Sequence, residues 1–332
     1  MRRILLTGAS GFIGTNLLDA WAKQGFSFLN LDRAAPQNPA HREFWHQSDL
    51  LEPASWTQRI RSFDPTEVIH MAARTDMDET SPPEIAYRVN LEGTRRLLDG
   101  AGKLPSLRRL ILVSSQFVCG PGHLPRHDQD FAPVTVYGRS KAMAEEILRE
   151  ARLACSWMVV RPTNVWGPWH PRYPHEFWRV LQRGWYFHPA GPPVRRAYVY
   201  VGNLLQQLKT ALDQPASEVA GQVFYLSDPV EDIAHWVDEF SLALRGTPAR
   251  RIPRSMLCGL GKLGDLVEKV RGKPFYISTS RARSMTTDYP VPLEKTFSVL
   301  GRGPFSLREG VQATVGWLRQ TWPADFPPLN FC

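Results

Sequence analysis

The chain opens on a short apolar run, Arg3-Ile4-Leu5-Leu6, that passes directly into Thr7-Gly8-Ala9-Ser10-Gly11-Phe12-Ile13-Gly14. A strand, a turn carrying three glycines and the start of a helix are thus written into the first fourteen residues. Glycine at 8 lets the backbone turn tightly, glycine at 11 keeps a Cβ out of the path of a pyrophosphate, and glycine at 14 lets the new helix lie close on the strand. Free N–H groups and the positive end of a helix dipole then face the phosphates. The spacing points to a dinucleotide cradled by Gly8, Ser10, Gly11, Phe12, Ile13 and Gly14.

The rest of the first half keeps the rhythm that such a turn requires. Residues 3–7, 27–31, 67–71, 109–114 and 157–161 read as strands, and 12–24, 55–63, 85–101 and 136–151 have helical spacing. Alternation of this kind predicts an α/β fold, a doubly wound parallel sheet with right-handed crossovers, whose ligands bind at the carboxyl ends of the strands. After Arg161 the rhythm breaks into a proline- and aromatic-rich stretch, 162–193, carrying Trp166, Trp169, Trp178 and Trp185. It reads as a partly helical lid whose aromatics either stack a nucleobase or pack the protein. A strand at 197–201, a helix at 203–212 and a strand at 223–226 are expected to return to the sheet. Helices follow near 233–244, 256–270 and 307–321. The expected division is a nucleotide-binding unit of residues 1–166 with about 197–227, and a smaller, mixed substrate-binding unit of 167–196 and 228–332.

With 332 residues and 43% hydrophobic content the chain has ample material for a buried core. It lacks a run of about 18 apolar residues to span a bilayer, and Met1-Arg2-Arg3 leads into no signal-peptide core, so a cytoplasmic protein without a membrane partner is expected. The four cysteines (119, 155, 258 and 332) show no metal-ligand spacing, and neither a metal nor a disulfide framework is expected. A net charge of +8 raises the question of nucleic acid. The basic residues look scattered and form no recognisable nucleic-acid module, so no nucleic-acid partner is expected. Arginine, whose planar fork grips phosphate bidentately, suits a small diphosphate-bearing substrate better.

Tyr137-Gly-Arg-Ser-Lys141 opens a predicted helix, where an i, i+4 spacing puts phenol and ammonium on one face. A free tyrosine titrates near 10, and an adjacent cation favours the phenolate, so Tyr137 is expected to act as a base that Lys141 tunes. Ser115, preferred over Ser114, ends the strand before it, at the sheet edge where a hydroxyl can bridge substrate to Tyr137. Asp32 ends the second strand, eighteen residues after Gly14, where its carboxylate can accept from the adenosine ribose hydroxyls. It also repels a 2′-phosphate and favours NAD over NADP, although Arg33 beside it could welcome that phosphate.

Together these residues resemble the extended short-chain dehydrogenase/reductase family, in particular its nucleotide-sugar epimerase and dehydratase branch, typified by UDP-galactose 4-epimerase. Thr7 to Gly14 resembles the family's TGxxGxxG, and Ser48-Asp49-Leu50 its adenine-contacting turn. His70-Met71-Ala72-Ala73 resembles its cofactor-lining strand end, and Val89 to Thr94 its helix with a structural asparagine, Asn90. Ser114 to Gly120 is similar to its SSxxVYG, Tyr137 to Lys141 to its YxxxK, and Arg161 to Pro168 to its RPxNVYGP. The resemblance implies that Asp49, Leu50, Met71, Ala72, Ala73, Asn90 and Pro162 join Tyr137 and Lys141 around the cofactor. It also implies that Asn164 and Arg196 meet the substrate, Arg196 at the nucleotide diphosphate, and that the protein is a homodimer through helices 85–101 and 136–151. Cys119 and Gly202 stand where the family carries tyrosine and aspartate. Gln116-Phe117 stands where the dehydratases place an Asp-Glu pair, which disfavours elimination of water. The resemblance therefore implies an NAD-dependent epimerase of a nucleoside-diphosphate sugar acting through a transient ketone. The motifs also fit a net NAD(P)-dependent oxidoreductase of a keto-sugar or other small carbonyl. A non-catalytic dinucleotide sensor is disfavoured by the intact Ser115, Tyr137 and Lys141.

Overall fold

A computed structural model describes residues 2–76, 78–271 and 278–327. Its centre is a seven-stranded sheet of β1 (Arg3–Thr7), β2 (Ser27–Asp32), β3 (Trp45–Gln47), β4 (Glu67–His70), β5 (Arg109–Val113), β6 (Ser156–Pro162) and β7 (Val223–Leu226). The strands lie in the order β7-β6-β5-β4-β1-β2-β3, and every neighbouring pair is parallel. The chain reverses its direction of travel across the sheet between β1 and β4, and this is the switch point where a doubly wound sheet opens a crevice.

Strict alternation along each strand feeds two cores. Ile4, Leu6, Ile69, Ile111, Val113, Met158 and Val160 point to one face, while Leu5, Val68, Leu110, Leu112 and Val159 point to the other. On the first face lie α1 (Phe12–Trp21), through Leu17, Leu18 and Trp21, and α5 (Val201–Asp213), through Leu204, Leu205 and Leu208. On the second lie α2 (Thr57–Phe63), α3 (Thr94–Ala101) and α4 (Val136–Glu150), through Ile60, Leu97, Leu98 and Leu148. Buried on both sides, the strands can be nearly continuous in apolar residues.

The later residues form α6 (Ile233–Arg245), α7 (Arg254–Arg271) and α8 (Leu307–Thr321) with three two-stranded ribbons. Several expectations change here. The predicted strand at 197–201 is shorter, Tyr198–Tyr200, and pairs with Asn164–Trp166 outside the main sheet, while Val223–Leu226 does join the sheet beside β6. The predicted helix 85–101 is broken into Pro83–Ala86, a wide turn at Val89–Gly93, and α3. Strand Trp45–Gln47 and the pairings Phe187–Ala190 with Arg250–Pro253 and Arg195–Arg196 with Glu231–Asp232 carry no clear sequence pattern. The tryptophans divide: Trp166 and Trp178 are fully buried, within 5.3 and 5.4 Å of the Phe240 ring, whereas Trp185 is exposed. Packing is therefore what Trp166 and Trp178 do.

Candidate active site

The glycine turn sits where β1 meets α1. Gly8 has φ +74°, and a Cβ there would stand 2.6 Å from Ala72 Cα, so the turn after β1 and the end of β4 approach as only glycine allows. At Gly14 a Cβ would come within 2.2 Å of Ala9 Cα, which sets how closely α1 lies on the turn. Ala9 N–H donates to Asn30 Oδ1 at 3.0 Å and Ser10 N–H to Asp32 Oδ2 at 3.1 Å, so residues of β2 hold the loop in shape. Gly11 caps α1 without any side-chain bond, and Phe12, whose ring lies 4.9 Å from His170, and Ile13 begin the helix.

Asp32 ends β2, and its other oxygen accepts from Ala34 N–H at 3.0 Å. Arg33 is exposed, 3.7 Å from the Asp49 carboxylate. Asp49 and Leu50 follow β3, with Leu51 N–H on Asp49 Oδ1 at 2.8 Å. Met71, Ala72 and Ala73 follow β4, and Pro162 is the last residue of β6. The predicted cofactor residues thus gather along the carboxyl edge of the sheet.

A directed chain of hydrogen bonds ties that edge together. Ala72 N–H donates to Thr7 Oγ1 at 3.1 Å, which leaves the Thr7 hydroxyl to donate to His70 Nδ1 at 2.6 Å. His70 Nε2–H then donates to Thr94 Oγ1 at 2.9 Å, and the Thr94 hydroxyl to Asn90 O at 2.6 Å. Burial and the nearby Lys141 charge push the His70 pKa down to about 3, so the ring stays neutral in this one tautomer. Asn90 itself uses both ends of its amide within the protein. Its Oδ1 accepts from Arg74 N–H at 2.8 Å, and its Nδ2 donates to Arg74 O at 3.1 Å and to Ser140 Oγ at 3.0 Å. It fixes the loop after β4 onto α4, and that is the role the structure gives it.

Ser115, Tyr137 and Lys141 come together behind this edge. Thr135 caps α4, accepting from Gly138 N–H at 3.0 Å, and so the helix starts with Tyr137 in its first turn. The Tyr137 phenol is 9% exposed, between the rings of Tyr87 and Phe117. Its burial raises the pKa to about 12, against the lowering effect of a hydrogen bond with Ser115. Lys141 is equally enclosed, its Nζ donating to Val113 O at 2.9 Å, and burial brings it down to about 8 against the attraction of Glu145. The phenol is thus shifted up overall, with Ser115 and, more weakly, the Arg172 charge acting in the opposite direction. The i, i+4 interval does put both residues on the inward face of α4, but the ammonium is anchored on the end of β5.

One residue at the site escaped the sequence reading in this sense. Gln116 is 1% exposed and directly follows Ser115, yet neither its Nε2 nor its Oε1 has a hydrogen-bond partner among the described residues. A buried amide left unmade costs about 1–3 kcal/mol per group, so it marks a place where a polar ligand would be welcome. Asn164, on its separate ribbon, donates from Nδ2 to Ala197 O at 3.2 Å. Arg196 is buried with its Nη1 on Ser284 O at 2.6 Å and Ser284 Oγ at 2.5 Å, while its Nε has no partner among the described residues. Among the described residues no cluster of His, Cys, Asp or Glu is arranged to hold a metal.

A parallel sheet with a glycine cradle at its switch point and a buried Ser, Tyr and Lys set beyond it defines a dinucleotide-binding α/β enzyme. Residues 4–226 match the NAD dependent epimerase/dehydratase family, and the chain belongs to it. It is 28% identical over 94% of both chains to N-acetyl-alpha-D-glucosaminyl-diphospho-ditrans,octacis-undecaprenol 4-epimerase of Escherichia coli O157:H7. To UDP-glucose 4-epimerase of Vibrio cholerae it is 29% identical, again over 94% of both. The crystal structure of UDP-glucuronic acid 4-epimerase from Bacillus cereus, in complex with UDP-glucuronic acid and NAD, shares the fold with a TM-score of 0.72. That likeness covers 96% of this chain and 100% of the other at 17% identity.

Proposed function

We propose that the protein is an NAD-dependent epimerase of a diphosphate-linked sugar, with a nucleoside diphosphate as the carrier and a transient ketone as the intermediate. The observation that carries the reading is the conjunction of the Gly8 to Gly14 cradle with Ser115, Tyr137 and Lys141 buried beside the same sheet edge. Glycines at 8 and 14 set the shape of the cradle, since a side chain at either would collide with backbone, and at Gly11 the absent side chain leaves the approach to the turn clear. When bound, NAD supplies the hydride acceptor and returns the hydride.

The protein's own residues then have separate tasks. The N–H groups of Phe12 and Ile13, at the start of α1, meet the pyrophosphate, and the Asp32 carboxylate meets the adenosine ribose hydroxyls and selects NAD over NADP. Ser115 orients the reacting hydroxyl toward Tyr137. Tyr137, once ionised to the phenolate, receives the hydroxyl proton and later gives it back to the opposite configuration. Lys141, held on Val113 O, keeps a positive charge under the cofactor ribose. Gln116 offers its unpartnered amide to a sugar hydroxyl, and Asn164 and Arg196 hold the sugar and diphosphate ends, with 167–196 and 228–332 as the substrate-binding unit. The two full-length relatives act, by their names, on sugars borne by two different diphosphate carriers, a nucleoside and an undecaprenol. That supports the diphosphate sugar as the common element. A groove lined by Arg88, Leu91, Met143, Glu146 and Ile147 runs between the helices proposed to form a homodimer.

The test is Tyr137→Phe. Turnover should fall by at least about 10²-fold, the usual share of a general acid–base group, with NAD affinity kept. Retained turnover sinks the assignment. Recycling of bound NAD distinguishes epimerisation from net reduction, which consumes free NAD(P)H stoichiometrically.

A further inference from the structure

The chain carries eight net positive charges, and their distribution is uneven. Between residues 250 and 284 stand nine Arg and Lys against two Asp and Glu, so seven of the eight belong to about a tenth of the sequence. Most of that segment is α7 and the short helix Thr279–Ser284 packed on it.

The inner side of α7 is well defined. Leu257 packs with Ile252 and Ala282, joined by Phe187, Leu260 and Met285. Thr279 N–H donates to Asp265 Oδ1 at 3.1 Å. The outer side is unusual, because Met256, Leu263 and Leu266 are 49%, 56% and 58% exposed. At about 100° per residue these three fall within roughly 80° of arc, a continuous apolar stripe. The exposed Lys262 and Lys269 lie about 40–60° further round the helix, on the polar border of that stripe. Trp185, 63% exposed beneath the Arg183 guanidinium, is two residues from Phe187 of the same cluster. An apolar stripe edged by lysines is the pattern of a helix lying in a membrane interface. Arg251 and Arg281 of the segment are paired with Asp238 and Glu176, so it is the charge of the exposed Lys262 and Lys269 that complements the anionic headgroups of a bilayer surface.

We propose that this face of α7 docks on an anionic lipid bilayer, with Met256, Leu263 and Leu266 entering the acyl boundary and Lys262 and Lys269 on the headgroups. Nucleic acid would use the charge but leave three aliphatic side chains in water, and so it is the poorer partner. No described helix is long and apolar enough to cross a membrane, so the contact is one of lying on the surface. The expectation of no membrane partner, drawn from the lack of a spanning run, is revised here, as is that of scattered basic residues. Docking would bring the bilayer to the helix Thr279–Ser284, whose last residue accepts from Arg196. The inference goes beyond the reaction proposed above and stands independently of it.

The test is flotation of the full chain with phosphatidylcholine vesicles containing 30% phosphatidylglycerol, and with phosphatidylcholine alone, in 0.1 M salt. The wild type should float with the anionic vesicles, and the bound fraction should fall at least tenfold for Leu263→Asn/Leu266→Asn and for Lys262→Glu/Lys269→Glu. Both pairs are exposed, and unchanged circular dichroism and NAD affinity will show that the fold is kept. Tyr137→Phe should float like the wild type, which separates this surface from the chemistry. The proposal is overturned if the wild type stays with the buffer, if the leucine pair floats undiminished, or if single-stranded DNA binds both forms equally and displaces the wild type from vesicles.

Discussion

Glu145 and Arg161 form a bidentate ion pair in the protein interior, Nε to Oε1 at 2.9 Å and Nη2 to Oε2 at 2.8 Å, with both side chains almost wholly enclosed. Glu145 lies on α4 one turn past Lys141 and two past Tyr137, so the pair bolts the helix that bears the proposed base to β6. Arg161 also donates to Tyr225 Oη at 2.9 Å and Asp128 O at 2.5 Å, which keeps it charged and fixed. Removing one partner of such a pair leaves an uncompensated buried charge, at a cost of about 3–5 kcal/mol. Glu145→Ala should therefore lower the urea unfolding free energy by about that amount. A loss under about 1 kcal/mol, the worth of an exposed pair, would contradict the bolt.

Lys141 gives a pH dependence with a definite sign. Its pKa is about 8 in the fold, whereas an unfolded chain has it near 10.4. As pH falls from 10.4 the unfolded state takes the proton first, so the lysine's contribution is lost on the way down, and the full penalty is present below pH 8. At about 1.4 kcal/mol per unit the window spans roughly 3 kcal/mol. The unfolding free energy of the wild type minus that of Lys141→Met should rise by about that much between pH 7 and 10.5. A pH-independent difference would show that the ammonium is solvated.

Cofactor choice should rest on Asp32. Its two oxygens are already oriented by Ser10 and Ala34 N–H groups, so the carboxylate stands ready at the end of β2. Asp32→Ala should weaken NAD binding about tenfold, near 1.4 kcal/mol for a lost hydrogen bond to a charged group, and should weaken NADP binding less or improve it. Calorimetric titration with both nucleotides measures this, and an unchanged ratio of affinities would move the selection elsewhere.

Two glycines in helices should respond oppositely to alanine. At Gly14 the new methyl would meet Ala9 at 2.2 Å and force α1 off the turn, an overpacking loss of about 1–3 kcal/mol. At Gly316, within α8, the methyl meets nothing within 4 Å, and helix propensity should gain about 1 kcal/mol. Thermal unfolding of the two variants against wild type reads both signs at once.

The features legible in the sequence are those fixed by short intervals of chain. The glycine turn, the strand end at Asp32, the turn carrying Ser115 just after β5, and the start of α4 before Tyr137 all depend on neighbours a few residues away. What stayed hidden depends on packing across long intervals. Lys141 finds Val113 O twenty-eight residues back, and no spacing rule says that it will prefer that carbonyl to the phenol. The ribbon of Phe187–Ala190 with Arg250–Pro253 joins segments some sixty residues apart with four residues on each side, too few for a periodicity to show. Gln116 was noted for the carboxylate it is not. Its lack of partners is a property of the folded surroundings. The charge between 250 and 284 forms no run, and it shows only as a sum over thirty-five residues.

Asn164 and Tyr198 sit on a ribbon of their own beside the seven-stranded sheet: Thr163 leads into it from the last residue of β6, and Tyr200 leads out of it into α5. The residues proposed to grip the nucleotide and move the proton stand at the ends of the main strands and on α4, while the proposed sugar contact stands on the ribbon. Changes on the ribbon leave the register of β1 to β7 untouched. Under the proposed function, a lineage of such proteins can retarget its sugar by editing a few residues there, without rebuilding the sheet edge that holds the dinucleotide.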